Sequence, residues 1–231
     1  MRILMIAADP MEFPGVLRHT VDAKTAGLDV DWSRTARLGD HEILLAANGA
    51  GARRASAAVD AALAAFSADC VVSTGFCGAL APELQVGDVV VGTAVNAGPG
   101  VFGAAKPDCS RAHQTGVVCS IDHVAQSAAE KRELRATGAS VVEMEAGGVA
   151  QSAAGYGVEF YCVRVVTDLA GEDMSNDFNG ALRPDGHFGT MRILQGALRH
   201  PLIRMPELLR LRSRCVHAAG VLGDFIADCR F

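Results

Sequence analysis

The sequence predicts an α/β fold: a three-layer α/β/α arrangement around a central mixed sheet. Short apolar segments rich in Val and Ile alternate along the chain with Ala-rich segments of helical pattern. Continuous apolar runs such as 89–91 are typical of strands that are buried on both faces. Half of the 231 residues are apolar and only 5% are aromatic. We therefore expect a core of small side chains, with helices packed closely on the sheet.

The alternation of apolar and helical segments predicts where the helices and strands lie along the chain. Helices are predicted at 52–66 and at 145–156, where Gly157 is a plausible residue after the helix C-terminus. Apolar residues from 208 to 225 recur at steps of three and four, which predicts a C-terminal helix. Pro201 and Pro206 are expected to separate it from a helix near 190–199. We expect one domain over 1–231, with a helical C-terminal extension at about 190–229. Strands are predicted at 2–8, 42–48, 70–75, 88–95, 116–121, 140–142 and 159–167.

Composition excludes several classes of protein. The net charge of −5 argues against general nucleic-acid binding. The seven cysteines are scattered without a Cys-x-x-Cys spacing, which favours a reducing, cytoplasmic environment over a disulfide framework or a zinc ribbon. The histidines show no metal-binding spacing, so no metal and no cofactor are expected. No apolar run is long enough to span a bilayer.

Acidic residues follow three of the predicted strands. Glu12 comes just after the first strand, Glu143 and Glu145 follow the strand at 140–142, and Asp168 ends the strand at 159–167. Ligands of α/β proteins bind at the carboxyl ends of the strands, so these carboxylates are candidates for a site. Any single one could instead be a helix cap or a first-turn charge.

A glycine-containing segment follows the strand at 70–75. It reads Ser-Thr-Gly-Phe-Cys-Gly-Ala-Leu over 73–80, and Val-Gly-Asp-Val-Val follows at 86–90. We expect a turn at Gly75 whose backbone N–H groups bind an oxyanion or a ribose oxygen. An ordinary structural turn is the alternative.

The motifs together resemble the nucleoside phosphorylase and nucleosidase superfamily. Their order is an early Glu after the first strand, Thr-Gly-x-x-Gly-x-Leu, Val-Gly-Asp-Val-Val, Val-Glu-Met-Glu-Ala at 142–146, and Val-Arg-x-x-Thr-Asp at 163–168. The strongest likeness is to the 5′-methylthioadenosine/S-adenosylhomocysteine nucleosidases. The resemblance implies a phosphorylase/hydrolase-like fold, a purine nucleoside substrate and a homodimer.

The resemblance also implies roles for individual residues. Glu12 would activate water, and Asp168 would help to protonate the departing purine. Cleavage of an N-glycosidic bond passes through a cationic sugar, which nearby carboxylates stabilise. Glu145 would accept hydrogen bonds from the ribose hydroxyls, with Met144 packed against the sugar and Glu143 nearby. The substrate-binding set implied in this way is Gly75, Phe76, Val124, Ala125, Glu143, Met144 and Glu145, of which Val124 and Ala125 would line the nucleobase slot.

The nucleophile is predicted to be water. Phosphorylases of this superfamily carry arginines after the first strand and before the glycine turn, and both are missing here. Glu12 would repel phosphate. Phe76, however, stands where the nucleosidases usually have Ser or Thr. Arg53, at a helix start, is a possible phosphate contact that would make phosphate a co-substrate; it could equally be an exposed surface residue.

The identity of the substrate is open at the 5′ side. The segment between 95 and 116 is short for a nucleosidase of this type, so the pocket could admit a larger group. The C-terminal segment is rich in arginine and similar to the tail of hopanoid-associated nucleosidase/phosphorylase relatives, whose substrate is an adenosyl-lipid. A peripheral membrane contact through this basic helix is one reading, and a solvated helix face is the other. A phosphorylase and a non-catalytic nucleoside-binding protein remain the alternatives to a hydrolase.

Overall fold

In the computed structural model, residues 1–98 and 100–231 are described. The strands form one mixed sheet in the order β10-β6-β8-β9-β5-β1-β4-β3-β2, with β7 paired to β6. The α/β class with a mixed central sheet is thus confirmed. The strands are β1 (Arg2–Ala7), β2 (Thr20–Thr25), β3 (Trp32–Leu38), β4 (His41–Ala47), β5 (Cys70–Ala79), β6 (Val89–Ala97), β7 (Gly100–Gly103), β8 (Gln114–Ser120), β9 (Val141–Glu143) and β10 (Glu159–Asp168).

Helices cover both faces of the sheet. A 3₁₀ turn at Pro10–Glu12 follows β1. Helices α2 and α4 share a core with one face of the sheet, and α1 and α7 share a second core with the other face. The helices are α1 (Pro14–Leu17), α2 (Ala52–Ala65), α3 (Ala128–Arg135), α4 (Ala146–Tyr156), α5 (Phe178–Ala181), α6 (Thr190–Arg199) and α7 (Pro201–Asp228).

Strand β1 shows why the apolar runs are continuous. Leu4 and Ile6 pack towards α2, while Ile3 and Met5 pack towards α7. Successive side chains of a strand point to opposite faces. A strand covered by helices on both sides therefore needs an apolar residue at every position, as the sequence pattern predicted.

Five strands close into a ring at one end of the sheet. Strand β5 pairs with β10, β10 with β6, β6 with β8, β8 with β9, and β9 returns to β5. The ring brings the ends of β5, β9 and β10 together, so Glu143 at the end of β9 and Asp168 at the end of β10 lie at the same edge of the sheet.

Helix α7 contacts two segments that are far apart in the sequence. It crosses α1 so closely that a Cβ on Gly15 would lie 1.9 Å from the carbonyl oxygen of Ala219, and one on Gly223 would lie 2.0 Å from the carbonyl carbon of Gly15. Towards its N-terminus, Glu207 accepts hydrogen bonds from the backbone N–H groups of Ser175 and Asn176. One helix thus contacts both the segment after β1 and the segment after β10.

Two sequence predictions about backbone course were wrong. The glycine segment is not a turn: β5 continues through it to Ala79, and Gly75 is accommodated within the strand at φ +140°. Pro206 does not end a helix but lies inside α7. The N–H that it lacks would have served the carbonyl of Leu202, a residue that is 91% exposed, so water can take that role.

Some elements were not predicted. Strands β2 and β3 carry charged and polar residues and lie at the edge of the sheet, where one face needs no apolar cover. Helix α3 and the short strand β7 were also missed; β7 lies within the segment expected to be a loop. Gly157 adopts the left-handed conformation after α4, as predicted.

Candidate active site

A pocket of about 350 Å³ opens at the carboxyl ends of β1, β5 and β10. This volume is at the lower end of the range for small-molecule sites. Glu12, Glu143, Glu145 and Asp168 all line it, and each side chain is largely buried. The carboxylates singled out in the sequence are therefore brought to one cavity.

Glu12 is held by three backbone N–H groups. Its Oε2 accepts hydrogen bonds from Ala8 at 2.9 Å and Asp9 at 3.0 Å, and its Oε1 accepts one from Phe76 at 2.7 Å. Burial raises the pKa of Glu12, while these hydrogen bonds and nearby Arg164 oppose the rise. The carboxylate is fixed in orientation and tuned towards a group that can accept a proton.

Gly75 leaves the space that Glu12 occupies. A Cβ at this position would lie 2.3 Å from Glu12 Oε1 and 3.0 Å from Arg164 Nη1. Gly75 itself does not line the pocket among the described residues, whereas Phe76 does. The N–H group predicted for a ligand comes from Phe76 and is directed at Glu12 instead.

Arg164 lies behind the pocket, and the sequence predicted no role for it although it belongs to the Val-Arg-x-x-Thr-Asp motif. Its guanidinium is fully buried, pairs with Glu143 at 2.6 Å, and donates to the hydroxyl of Ser73. Its only sequence signal was a charged residue inside an otherwise apolar strand. A buried charge of this kind is retained only with partners, which the carboxylates around it supply.

Glu143 is committed to structural contacts. Besides Arg164, its Oε2 accepts hydrogen bonds from the N–H groups of Glu145 and Ala146, where α4 begins. Such contacts satisfy N–H groups that the first helical turn leaves without partners. Glu143 therefore anchors the segment that carries Glu145.

Glu145 and Met144 lie side by side on the pocket wall. Glu145 Oε1 accepts a hydrogen bond from the N–H of Gly51 at 2.9 Å, which ties the start of α4 to the start of α2. Burial, reinforced by the charge of Glu143, raises the pKa of Glu145 to about 8.

Asp168 ends β10 and pairs with a lysine from α3. The Nζ of Lys131 lies 2.5 Å from Asp168 Oδ2 and donates to the carbonyl of Leu169 at 2.8 Å. Burial raises the pKa of Asp168 and the ammonium of Lys131 opposes that rise. Lys131 was not predicted as a site residue, because its neighbours in the sequence are those of a polar surface helix.

Val124 and Ala125 lie on the wall of the same pocket. The backbone N–H of Val124 donates to Asn179 Oδ1 at 2.8 Å, and its carbonyl accepts from Asn179 Nδ2 at 2.9 Å. The carboxamide thereby engages both backbone groups of one residue. Neighbouring His123 also lines the pocket, and its hydrogen bonds to Asp122 and Glu130 raise its pKa.

The pocket also has an apolar wall, formed by the segment after β10, by α6 and by α7. Its side chains are those of Met174, Phe178, Phe188, Ile193, Leu211 and Cys215.

Arg53 does not reach the pocket. It lies exposed on the first turn of α2, and the described residues that line the pocket do not include it. The neighbouring Arg54 turns towards Asp31, with which it forms an ion pair at 2.7 Å. In this structure Arg53 lies outside the pocket, and its role as a phosphate contact stays a prediction.

The fold and these motifs define a protein of the nucleoside-cleaving and nucleoside-transferring class. The family model of the phosphorylase superfamily matches residues 2–185. The chain belongs to the phosphorylase superfamily, which confirms the resemblance drawn from the sequence motifs.

Curated relatives and solved structures agree with this assignment. The chain is 25% identical to the 5′-methylthioadenosine/S-adenosylhomocysteine nucleosidase of Aeromonas salmonicida, over 69% of this chain and 82% of the relative. The corresponding nucleosidase of Tolumonas auensis is 29% identical over 61% and 74%. These relatives are N-ribosyl hydrolases, the enzyme class predicted from the sequence.

Two solved structures show the same fold over nearly the whole chain. The nucleosidase of Campylobacter jejuni superimposes with a TM-score of 0.73 at 18% identity, covering 98% of this chain and 97% of that one. The futalosine hydrolase of Helicobacter pylori does so with a TM-score of 0.74 at 17% identity, covering 98% and 95%.

Proposed function

We propose that this protein is a purine nucleosidase that hydrolyses the N-glycosidic bond of a 5′-substituted adenosine. The observation that carries the proposal is the meeting of Glu12, Glu145 and Asp168 in one pocket. A nucleoside needs three things at once: a base for the attacking water, an acceptor for the ribose hydroxyls and an acid for the leaving purine. The pocket offers a carboxyl group for each.

In this proposal, Glu12 accepts a proton from the attacking water. Its carboxylate is oriented by three N–H donors, and burial raises its pKa, which favours proton uptake near neutral pH. The negative charge beside the sugar also stabilises the cationic transition state. Asp168, at the C-terminal end of β10, donates a proton to the purine as the N-glycosidic bond breaks.

Glu145 accepts the ribose hydroxyls, and Met144 packs against the sugar. The contact between Glu145 and Gly51 leaves its second carboxylate oxygen, Oε2, for a ligand. Glu143 supports this group through the backbone and contributes charge to the same wall.

The lining of the pocket favours water over phosphate as the nucleophile. Among the described residues, neither Arg nor Lys is in its lining, whereas several carboxylates are. A phosphate dianion beside them would be repelled, and Arg53 lies outside the pocket. Phosphorolysis would require a cationic side chain to move in.

The 5′ substituent is proposed to be apolar, since one wall of the pocket is. An adenosine that carries a lipid at its 5′ position is a second candidate, favoured by exposed apolar residues on α6 and α7, the helices that contribute to this wall. These include Met191, Leu198, Leu202 and Ile203, each more than 60% exposed. Arginines on the same helices would attract an anionic lipid surface. No helix among the described residues is long and apolar enough to cross a membrane.

The test is release of free base from a panel of nucleosides, with and without phosphate. We expect adenine from methylthioadenosine or adenosylhomocysteine in phosphate-free buffer. Strict dependence on phosphate would refute hydrolysis. Release only from 5′-alkyl adenosines would select the lipid substrate, and tight binding without turnover would leave a non-catalytic binding protein.

A further inference from the structure

Helix α3 is anchored in the protein by a lysine. The structure describes all eight residues of α3, and Lys131 is the one that is buried. Its side chain has no solvent exposure at all. An apolar residue would secure such a helix with less desolvation of charge, because a buried ion pair contributes little net stability. The position therefore calls for an explanation beyond packing.

The Lys131 ammonium is directed at one oxygen of Asp168. It lies 2.5 Å from Oδ2, and its second acceptor is the carbonyl of Leu169, the next residue in the chain. The two contacts fix both the carboxyl group and the backbone that follows it. A Cβ on Gly78 would lie 2.8 Å from the same Oδ2, so this oxygen is enclosed on the protein side.

The other oxygen, Oδ1, is less committed. Its protein donor is the hydroxyl of Thr167 at 3.2 Å, and that hydroxyl also lies 3.3 Å from the carbonyl of Cys77. A hydroxyl has one hydrogen, so it can serve only one of these acceptors at a time. Oδ1 thus keeps the capacity to bind a further group, and the Asp168 side chain retains 12% exposure towards the pocket.

We propose that Lys131 is a positioning residue that holds Asp168 through Oδ2, presents Oδ1 to the leaving nucleobase, and sets the pH range over which Asp168 carries its proton. This inference rests on the proposed function, in which Asp168 is the general acid. Lys131 does not touch the substrate; it acts through Asp168.

Two opposing effects on the pKa of Asp168 give the direction of the change expected when Lys131 is replaced. Burial raises the pKa of Asp168 and so makes the carboxyl a weaker acid. The adjacent ammonium favours the carboxylate and opposes that rise, which makes the proton easier to donate to the purine. The proton travels from Asp168 to the purine, and solvent returns it after the base departs.

Other ionisable groups face this pair and stay the same when Lys131 is replaced. Glu172 follows in the chain and forms an ion pair with Arg214 of α7 at 2.7 Å. A small cavity next to Asp168 is lined by further charged groups. Among the described residues these groups are Cys77 from β5, Glu172 and Asp173 after β10, Glu207, Arg210, Arg214 and Cys215 from α7, and Glu130 from α3, which is engaged by His123.

The first experiment compares pH profiles of kcat/KM for base release by the wild-type protein, Lys131→Met, Lys131→Arg and Arg132→Met. Removing the ammonium keeps the Asp168 carboxyl protonated to higher pH. The alkaline limb of Lys131→Met should therefore move upward by about 1–3 pH units, with a lower kcat and an almost unchanged KM. Lys131→Arg keeps the charge and should keep the limb. Arg132→Met removes an exposed cation from the same helix and should behave as wild type.

A second measurement does not depend on turnover. The carboxyl carbon of Asp168 is followed by NMR in protein labelled with ¹³C-aspartate, and its resonance is identified by its loss in Asp168→Asn. Its titration midpoint should rise in Lys131→Met. If that variant does not fold, Lys131→Gln keeps an N–H donor without the charge and should show the same rise.

The outcomes separate the two proposals. A midpoint that rises in a protein that releases no base overturns the proposed function and leaves the Lys131–Asp168 coupling in place. Base release with an unmoved limb and an unmoved midpoint overturns the inference about Lys131. A loss of kcat without any shift in pH dependence shows that Lys131 is merely structural and also overturns it.

Discussion

Two parts of the pocket lining differ in composition. In the carboxylate wall, Glu12, Glu143 and Glu145 surround the buried Arg164, and backbone N–H groups fix each carboxyl group. In the apolar wall, the side chains come from α6, α7 and the segment after β10. The carboxylate wall has little freedom to change, since each charge depends on its neighbours. The apolar wall can exchange one apolar side chain for another at small cost.

The largest effect is expected from Glu12→Gln. The amide cannot accept the proton of water, so kcat should fall by about 10³-fold, within the range for loss of a general base. Gln keeps the size of the side chain, but its NH2 group cannot accept the backbone N–H bonds that one carboxylate oxygen receives, so a modest fall in the melting temperature should accompany the loss of activity. Steady-state kinetics and thermal unfolding check both points. Asp9→Asn, a neighbouring carboxyl that caps the 3₁₀ turn, is the matched control and should retain activity; equal loss in both variants would contradict the role of Glu12.

Gly75→Ala tests the carboxylate wall at the backbone position that makes room for Glu12. The added Cβ would meet Glu12 Oε1, and φ of +140° strains any residue with a side chain. We expect a loss of about 2 kcal/mol or more in the free energy of unfolding, together with at least a tenfold fall in kcat. Urea unfolding measures the first quantity. Gly155→Ala, in α4 with open space around it, should instead be neutral or stabilising. Wild-type kcat in Gly75→Ala would show that Glu12 does not need its present position.

Glu145, in the carboxylate wall, makes the stability of the folded protein depend on pH. Its pKa is raised to about 8 from an ordinary value of 4.5, so between these values the folded state holds a proton that the unfolded state has released. Stability should therefore fall as pH rises from 5 to 8, with a slope of at most about 1.4 kcal/mol per pH unit for one proton. Glu145→Gln should flatten that slope. Urea midpoints across this range decide, and an identical slope in the variant would contradict the assignment.

The smallest effect is expected in the apolar wall of the pocket. Leu211→Ser removes apolar surface from the pocket wall and should raise KM about fivefold for a nucleoside with an apolar 5′ substituent, with kcat unchanged. Adenosine itself, with a 5′ hydroxyl, should be affected less. Leu209→Ser, on the same helix but 63% exposed, is the control. Equal effects on both nucleosides would place the 5′ end of the substrate away from Leu211.

The sequence predicted the parts of the fold that burial dictates. Strand β1 is an almost continuous apolar run, and β5 and β10 are largely apolar, because helices cover both faces of this part of the sheet. Edge strands β2 and β3 lack that constraint and were missed. The course of β5 through Gly75 was also missed, because a glycine usually marks a turn; here it makes room for Glu12.

The candidate site was predictable where residues follow a motif, and it was not where they meet through the fold. Glu12, Glu145 and Asp168 belong to short patterns that precede or end strands. Lys131 lies 37 positions before Asp168, on a helix whose polar sequence resembles a solvated surface. Only the closing of the strand ring and the packing of α3 bring the pair together, so no local pattern reveals it.

The position of α7 has a thermodynamic consequence. It seats against Gly15, next to the turn that carries Glu12, and it binds the segment that follows Asp168 through Glu207 and Arg214. Local opening of this helix would release both flanks of the pocket at once, so the three segments should exchange their amide hydrogens as one cooperative unit. A ligand that binds only the closed pocket lowers the population of that opened state by mass action. Occupancy of the site should then be readable as slower exchange in the C-terminal helix, far along the chain from either carboxylate.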